Sequence, residues 1–181
     1  MSLWKPEVLE PKTRREYRIF GWAAGLGILA LALDQLTKII VMRRFTLGES
    51  LPVGEPFFAL TYVRNEGAAW SILSGHGWFL LLVALVVVAG VAFFFRRLTE
   101  GYPERYFALL LILGGVVGNS IDRLWHGAVV DFFDFHWYDR FRWPVFNVAD
   151  IAICVGVGLF ILSTILRPSK KTSEKDSPQE T

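Results

Sequence analysis

The sequence predicts an all-α membrane protein: four transmembrane helices with a small outer-side β-element and an aromatic interfacial segment. Three observations carry this expectation. Hydrophobic side chains make up 53% of the 181 residues and charged ones only 20%, with a mean hydropathy of +0.40, a balance shifted toward lipid relative to soluble domains. The apolar residues come in four blocks rather than at an amphipathic spacing. The ionisable residues that do enter those blocks gather at one end of them.

The blocks are residues 19–33 (extending to 42 if Asp34 and Lys38 are tolerated), 71–95, 106–121 and 151–166. A straight span needs ~20 predominantly apolar residues. The second block meets this alone, and the others reach it by taking in polar residues at one end. Basic residues precede the first block as in a signal peptide, but DQLTKIIVMRRF follows it in place of a small-x-small cleavage site, so a retained helix is expected.

Orientation follows from Lys and Arg. Lys5, Lys12, Arg14, Arg15, Arg18, Arg96, Arg97, Arg105, Arg167, Lys170, Lys171 and Lys175 fall on one side, and Arg43, Arg44, Arg64, Arg123, Arg140 and Arg142 on the other. Twelve against six places both termini in the cytoplasm. The expected organisation is a basic N-terminal segment (1–18), a four-span domain (19–167) and a polar, disordered tail (168–181). Outer segment 43–70 carries Gly/Pro breaks and the strand-like run FFALTYV. Outer segment 123–146 is rich in Trp, Phe and Tyr, which suits the headgroup region, as a surface anchor or a lid.

With spans alternating in direction, Asp34, Gln35 and Lys38 end the first, Asn119 and Asp122 end the third, and Asn147 and Asp150 open the fourth, all at one outer depth. Intramembrane charges are costly and mark function by default. Asp34 with Lys38, spaced i,i+4, can simply neutralise one another, and Asp122 beside Arg123 invites the same reading. Asn119 and Asn147 read as hydrogen-bonding braces. Asp131 and Asp150, in AVVDFF and FNVADIAIC, have no adjacent base. If two such carboxylates meet, one rises in pKa and the pair holds a single proton near neutrality. One member then takes a proton from water while the other polarises a peptide carbonyl. That chemistry needs no metal and no cofactor, and none is expected.

Other chemistries find little support. There is no HExxH, and His76, His126 and His136 lack metal-ligand spacing; no GxSxG elbow or Ser/His/Asp order is present. The single cysteine, Cys154, excludes an internal disulfide framework and reads as a small buried hydrophobe. Gly21 with Gly25, and Gly114 with Gly118, read as close helix contacts. A net charge of +2 carries no nucleic-acid signal. A proton or solute carrier would spread its ionisable groups across the membrane depth, and a structural protein would tolerate substitution of Asp131 and Asp150.

Taken in order, DQLTK, RNEGAAWS, GGVVGNSIDRLWHGAVVDFFDF and FNVADIAI resemble the lipoprotein signal peptidases (signal peptidase II), over roughly residues 21–166. The resemblance implies a bacterial inner-membrane aspartic peptidase, active near the outer (periplasmic) face. Its members remove the signal peptide of prolipoproteins whose lipobox cysteine carries diacylglyceryl. It places the catalytic pair on Asp131 and Asp150, and substrate-binding or supporting roles on Asp34, Lys38, Asn65, Asn119, Asp122, Arg123 and Asn147. The implied partners are lipidated prolipoproteins and membrane lipids, and a monomer is expected. The family commonly has Thr or another residue where Glu66 stands and Phe where Trp70 stands.

Overall fold

The computed structural model describes residues 14–54, 56–67, 75–137 and 141–167. Helix α1 (Arg14–Arg44) is followed by strands β1 (Ser50–Gly54) and β2 (Phe58–Asn65), then α2 (Gly77–Thr99) and α3 (Pro103–His126), strands β3 (Val129–Trp137) and β4 (Phe141–Arg142), and α4 (Val148–Leu166). All four helices are long and apolar enough to cross a membrane. Their outer surfaces carry Leu29, Leu36, Leu85, Val86, Leu162 and Ile165, all exposed. Such belts are favourable against acyl chains and unfavourable against water.

The helix ends follow local chemistry. Pro103 sits in the first turn of α3, where its missing N–H costs no hydrogen bond, and Gly127 closes α3 at φ 71°. Helix α4 opens with a capping box: the Asn147 side chain accepts from the Asp150 amide, and the Asp150 carboxylate accepts from the Asn147 amide. The two groups of interest in FNVAD are thus locked to one another by the start of the helix. The observed spans exceed the sequence expectation by a few polar residues. Helix α1 already begins at Arg14, and α3 runs on through Asp122 and Arg123 to His126. Polar residues continue a helix readily where backbone hydrogen bonds propagate cooperatively. Residues 1–13, 71–74 and the tail 168–181 lie outside the described residues.

Helix α3 lies against α1, α2 and α4. Small residues permit this. A Cβ on Gly114 would stand 2.5 Å from the Gly27 carbonyl of α1, and one on Gly118 would stand 2.6 Å from Asp34 Oδ2. Gly21 and Gly25 have open space around them, so the contact expected of that pair belongs to Gly27 instead. The register of the helix pair decides which glycine faces the neighbour, and spacing alone does not give it.

The strands form one antiparallel sheet in the order β1-β2-β3-β4. The aromatic segment, expected to suit the headgroup region, supplies two of these strands and keeps Phe135, Trp137, Phe141 and Trp143 exposed. Residues 129–137 and 141–142 of it form β3 and β4, and Phe58 on β2 pairs with Phe135. Cross-strand aromatic pairing satisfies both the rings and the backbone. Consecutive amides of Phe132 and Phe133 both donate to the Phe146 carbonyl, at 3.1 and 2.8 Å. A regular strand sends successive amides to opposite sides, so β3 is locally bulged just after Asp131. Val41 of α1, Tyr62 of β2, and Val130 and Phe132 of β3 form a buried cluster. At about 1.5–3 kcal/mol per buried side chain, it fastens the sheet over the ends of α1 and α4.

Candidate active site

The polar residues of three helices and the sheet meet at the sheet end of the bundle. Lys38, almost fully buried, is held by Asp34 Oδ2 at 2.9 Å on its own helix and by Asp122 Oδ2 at 2.8 Å on α3. Its third contact is donation to Asn119 Oδ1 at 2.9 Å. Two carboxylates and one ammonium leave this trio one unit negative, in a place with little water. Breaking such a buried set by removing one partner typically costs about 3–5 kcal/mol.

Each carboxylate of the trio also fixes backbone. Asp34 Oδ1 accepts the Ala149 amide at 2.8 Å, at the first turn of α4, where an anion is favoured by the helix dipole. Asp122 Oδ2 accepts the Val130 amide at 3.0 Å and so sets the position of the next residue, Asp131. Gln35 ties the two together, donating to Asp34 Oδ2 at 3.1 Å and to Asp122 Oδ1 at 3.2 Å, and also to Gly118 O at 3.2 Å.

The pairing expected between Asp122 and Arg123 does not form. Neighbours on a helix point about 100° apart and cannot face each other. Arg123 instead donates to the Asn119 carbonyl at 3.4 Å and the Gly67 carbonyl at 3.0 Å, and its Nε has no partner among the described residues. Asp34 and Lys38 do pair, as their spacing allows.

From the trio, two asparagines lead to Asp131 and Asp150. Asn119, oriented by Lys38, donates its Nδ2 to Asp150 Oδ1 at 2.8 Å. Asn147 donates its Nδ2 to Asp131 Oδ1 at 2.6 Å and to Asn119 Oδ1 at 3.1 Å, while its backbone amide donates to Asp150 Oδ2 at 3.1 Å. Asn65, at the end of β2, donates to Asp131 Oδ2 at 3.1 Å. Burial, and after it the charge of Asp150, pushes the Asp131 carboxyl up to about 7. Every supporting residue expected from the sequence joins this network directly or, for Arg123, through the Asn119 backbone.

Both carboxylates open on one cleft of about 610 Å³ between α2, α3 and α4. Its far wall is apolar, from Leu80, Val83, Ala84 and Val87 of α2 and Ile151 and Val155 of α4, and Arg123 stands at its polar end. Cys154 also lines the cleft and is exposed, against the expectation of a buried hydrophobe. One turn beyond Asp150, it sits on the same face of α4. Gln35 is a site residue that the sequence pattern did not mark, although it stands inside the span between Asp34 and Lys38. Asp134 is another buried carboxylate not expected from the sequence. That carboxylate is wholly buried and held by the Arg142 guanidinium, by Thr61 Oγ1 at 2.7 Å and near His136. Burial pushes Asp134 upward, but these bonds, Arg142 foremost, hold it below the usual carboxylate range. Its signal was the same as that of Asp131, an acidic residue in an aromatic run with no adjacent base.

The comparisons with known proteins agree with one another. The family model described as Signal peptidase (SPase) II matches residues 26–166. The lipoprotein signal peptidase of Haemophilus influenzae is 45% identical over 154 residues, covering 83% of this chain and 89% of the relative. That of Syntrophotalea carbinolica is 46% identical over 141 residues, covering 76% and 87%, and that of Bacillus pumilus 41% over 151 residues, covering 82% and 95%. A bacterial membrane enzyme solved by the in meso method at 2.3 Å resolution superposes with a TM-score of 0.76 at 32% identity, covering 87% of this chain and 95% of that one. A four-helix membrane scaffold, a polar cluster at one end of it and relatives matching over most of their length lead to one conclusion: the chain belongs to the signal peptidase II family, whose members are membrane peptidases.

Proposed function

We propose that the chain is an aspartic endopeptidase that removes the signal peptide from diacylglyceryl-modified prolipoproteins, cleaving before the lipidated cysteine. The observation that carries this reading is the shared support of Asp131 and Asp150 by Asn147, at the polar end of an otherwise apolar cleft. Two carboxylates held by one residue, one of them titrating near 7, fit general acid–base hydrolysis.

In this mechanism Asp131 holds the shared proton at rest and Asp150 is ionised. Asp150 removes a proton from water as its oxygen attacks the carbonyl carbon, and the proton on Asp131 stabilises the developing oxyanion. The carbon–nitrogen bond then breaks as a carboxylic proton passes to the leaving amine. The products are the signal peptide carboxylate and the free amine of the lipidated cysteine. Arg123 and Asn65 contact the substrate backbone near the dyad. Asp34, Lys38, Asn119, Asp122 and Asn147 hold the geometry.

The architecture supports the substrate assignment. A signal peptide is itself a membrane helix, and its cleavage point emerges where the bilayer meets water, the depth at which the cluster stands if both termini are cytoplasmic. The apolar wall formed by α2 and α4 offers acyl chains a surface continuous with lipid. One chain supplies both carboxylates, so a monomer suffices. A carrier would need ionisable groups along the bundle, whereas residues 19–33, 78–95, 106–121 and 151–166 of the described spans hold no Asp, Glu, Lys, Arg or His.

The test is conversion of a purified, lipidated precursor by enzyme in a bilayer, followed by gel shift. Asp131→Asn and Asp150→Asn should each lose cleavage by at least about 10³-fold while expressing normally. A variant retaining near-full cleavage would end the dyad reading.

A further inference from the structure

The bulge in β3 sets which residues share a face of the sheet. Phe132 and Phe133, adjacent in the chain, send their rings to one face, with centroids 4.5 Å apart. On a regular strand such neighbours point to opposite faces, so the bulge shifts the alternation by one residue. Asp131 and Asp134, three residues apart, therefore emerge together on the other face. The neighbouring strand agrees. Val63 pairs with Asp131, and Thr61, two residues earlier and so on the same face, donates to Asp134 Oδ2 at 2.7 Å.

Asp134 is wholly buried and takes no part in the proposed chemistry. Its carboxylate is gripped from β4, where Arg142 donates Nε to Oδ1 at 2.9 Å and a terminal amino group to Oδ2. A planar fork on a carboxylate fixes direction as well as distance. The next three residues, Trp143, Pro144 and Val145, line the membrane-level cleft and also a second cavity of about 390 Å³ over the sheet, and Asp131 lines both. Phe146 follows, whose carbonyl receives the two bulge amides, and then Asn147, which holds Asp131 and Asp150. The Trp143 and Phe146 amides tie this segment to β3, at Phe135 O (2.8 Å) and Phe133 O (3.1 Å). Pro144 has no N–H to add a third tie.

We propose that the Asp134–Arg142 pair is a positioning clamp for the dyad: by pinning residues 142–146 along β3, it holds the bulge after Asp131 and the start of α4 in register. This inference rests on the proposed function, in which Asp131 and Asp150 carry the chemistry. Asp134 and Arg142 touch no reacting atom and act through Phe146 and Asn147. Their charges cancel, so what they supply to the dyad is geometry.

The test uses charge-balanced changes in the full-length enzyme, given lipidated precursor in a bilayer. Arg142→Lys keeps the charge and loses the fork; Asp134→Asn combined with Arg142→Gln keeps the pair neutral overall. The charged groups facing Asp131, which are Asp150, Lys38 and Arg123, are untouched in both. We expect kcat to fall about threefold for the first and at least about tenfold for the second, with KM within about twofold of the parent. The Asn147 amide lowers the Asp131 carboxyl, so loosening that amide should move the alkaline decline of cleavage to higher pH. Arg64→Gln, on the opposite face of the sheet beside Tyr62, should change none of these. A parent-like kcat and pH profile with a lower melting temperature would make the pair a structural tie and overturn the proposal. So would a raised KM at the parent kcat, which would make the segment a wall for substrate. Should the double variant fail to fold, Arg142→Lys decides alone, since the Arg142 side chain is 62% exposed. A parent enzyme that cleaves no lipidated precursor would instead overturn the proposed function, and this inference with it.

Discussion

Asn147 donates its side-chain amide to Asp131 Oδ1 at 2.6 Å while serving as the N-cap of the helix that carries Asp150. One residue thus couples the geometry of the dyad to the folding of α4. Asn147→Ala should remove the amide held against Asp131 and the cap together. The cap alone contributes about 0.5–2 kcal/mol. We expect a lower melting temperature in detergent and at least about a 10²-fold loss of precursor cleavage. Asn147→Asp retains a capping oxygen but brings a third acid to the dyad, so it should recover stability better than activity. Recovery of both would show that the amide on Asp131 is dispensable.

The raised Asp131 carboxyl makes a second prediction, with a definite sign. Its native pKa of about 7 lies above the ordinary 3.8, so between those values the folded protein binds more protons than the unfolded one. Stability is therefore free of this penalty below about pH 4 and declines as pH rises through the window up to about 7. The full penalty is of the order of a few kcal/mol. Asp131→Asn should be more thermostable than the parent at pH 8, with the gap narrowing steadily as pH falls from 7 toward 4. Cleavage by the parent should decline above about pH 7 as the shared proton is lost. A gap that widened on acidification would reverse the assignment of the proton.

What was legible in the sequence divides by range. The four spans, Asp34 with Lys38, and the isolation of Asp131 and Asp150 are local facts: hydropathy over a window, a four-residue spacing, an acid with no neighbouring base. The partners chosen across the fold are not local. Lys38 takes Asp122, 84 residues away in the chain, because α1 and α3 approach at Gly27 and Gly114, and no spacing rule encodes that register. The aromatic segment read as interfacial because rings suit headgroups; that it also pairs as sheet, Phe135 with Phe58, depends on a partner 77 residues away in the chain. Cys154 read as buried because its neighbours are apolar. In a membrane helix apolar neighbours are equally consistent with exposure to lipid or to a cleft.

The helix contacts give a third prediction. A Cβ on Gly118 would stand 2.6 Å from Asp34 Oδ2 and 3.5 Å from the Ala149 Cβ. Gly118→Ala must push away the carboxylate that holds Lys38 and the Ala149 amide, with an overpacking cost of about 1–3 kcal/mol. It should lower both melting temperature and cleavage. Gly21→Ala and Gly25→Ala meet nothing within 4 Å and should leave both close to the parent. A reversed ranking in parallel thermal melts would mean that α1 and α3 approach through a different face.

The last prediction asks whether lipid belongs to the substrate. The membrane-level cleft has an apolar wall of Leu80, Val83, Ala84 and Val87 that a peptide backbone at the dyad would leave largely unused. Acyl chains moved from water would gain ~0.8 kcal/mol per methylene, but chains already in a bilayer have most of that gain before they bind. Their contribution is therefore to positioning, by holding the peptide bond that precedes the cysteine against Asp131 and Asp150 in place of free diffusion along the interface. Precursor carrying diacylglyceryl should be cleaved at least about 10²-fold faster in kcat/KM than the same precursor without it, with both aspartates required in each case. Ala84→Trp should narrow the ratio by filling the cleft while cutting cleavage of the lipidated precursor most. Enzyme in a bilayer, given the two precursors side by side, measures this directly. Equal rates would mean that the site reads peptide alone and that the apolar wall faces membrane lipid rather than substrate.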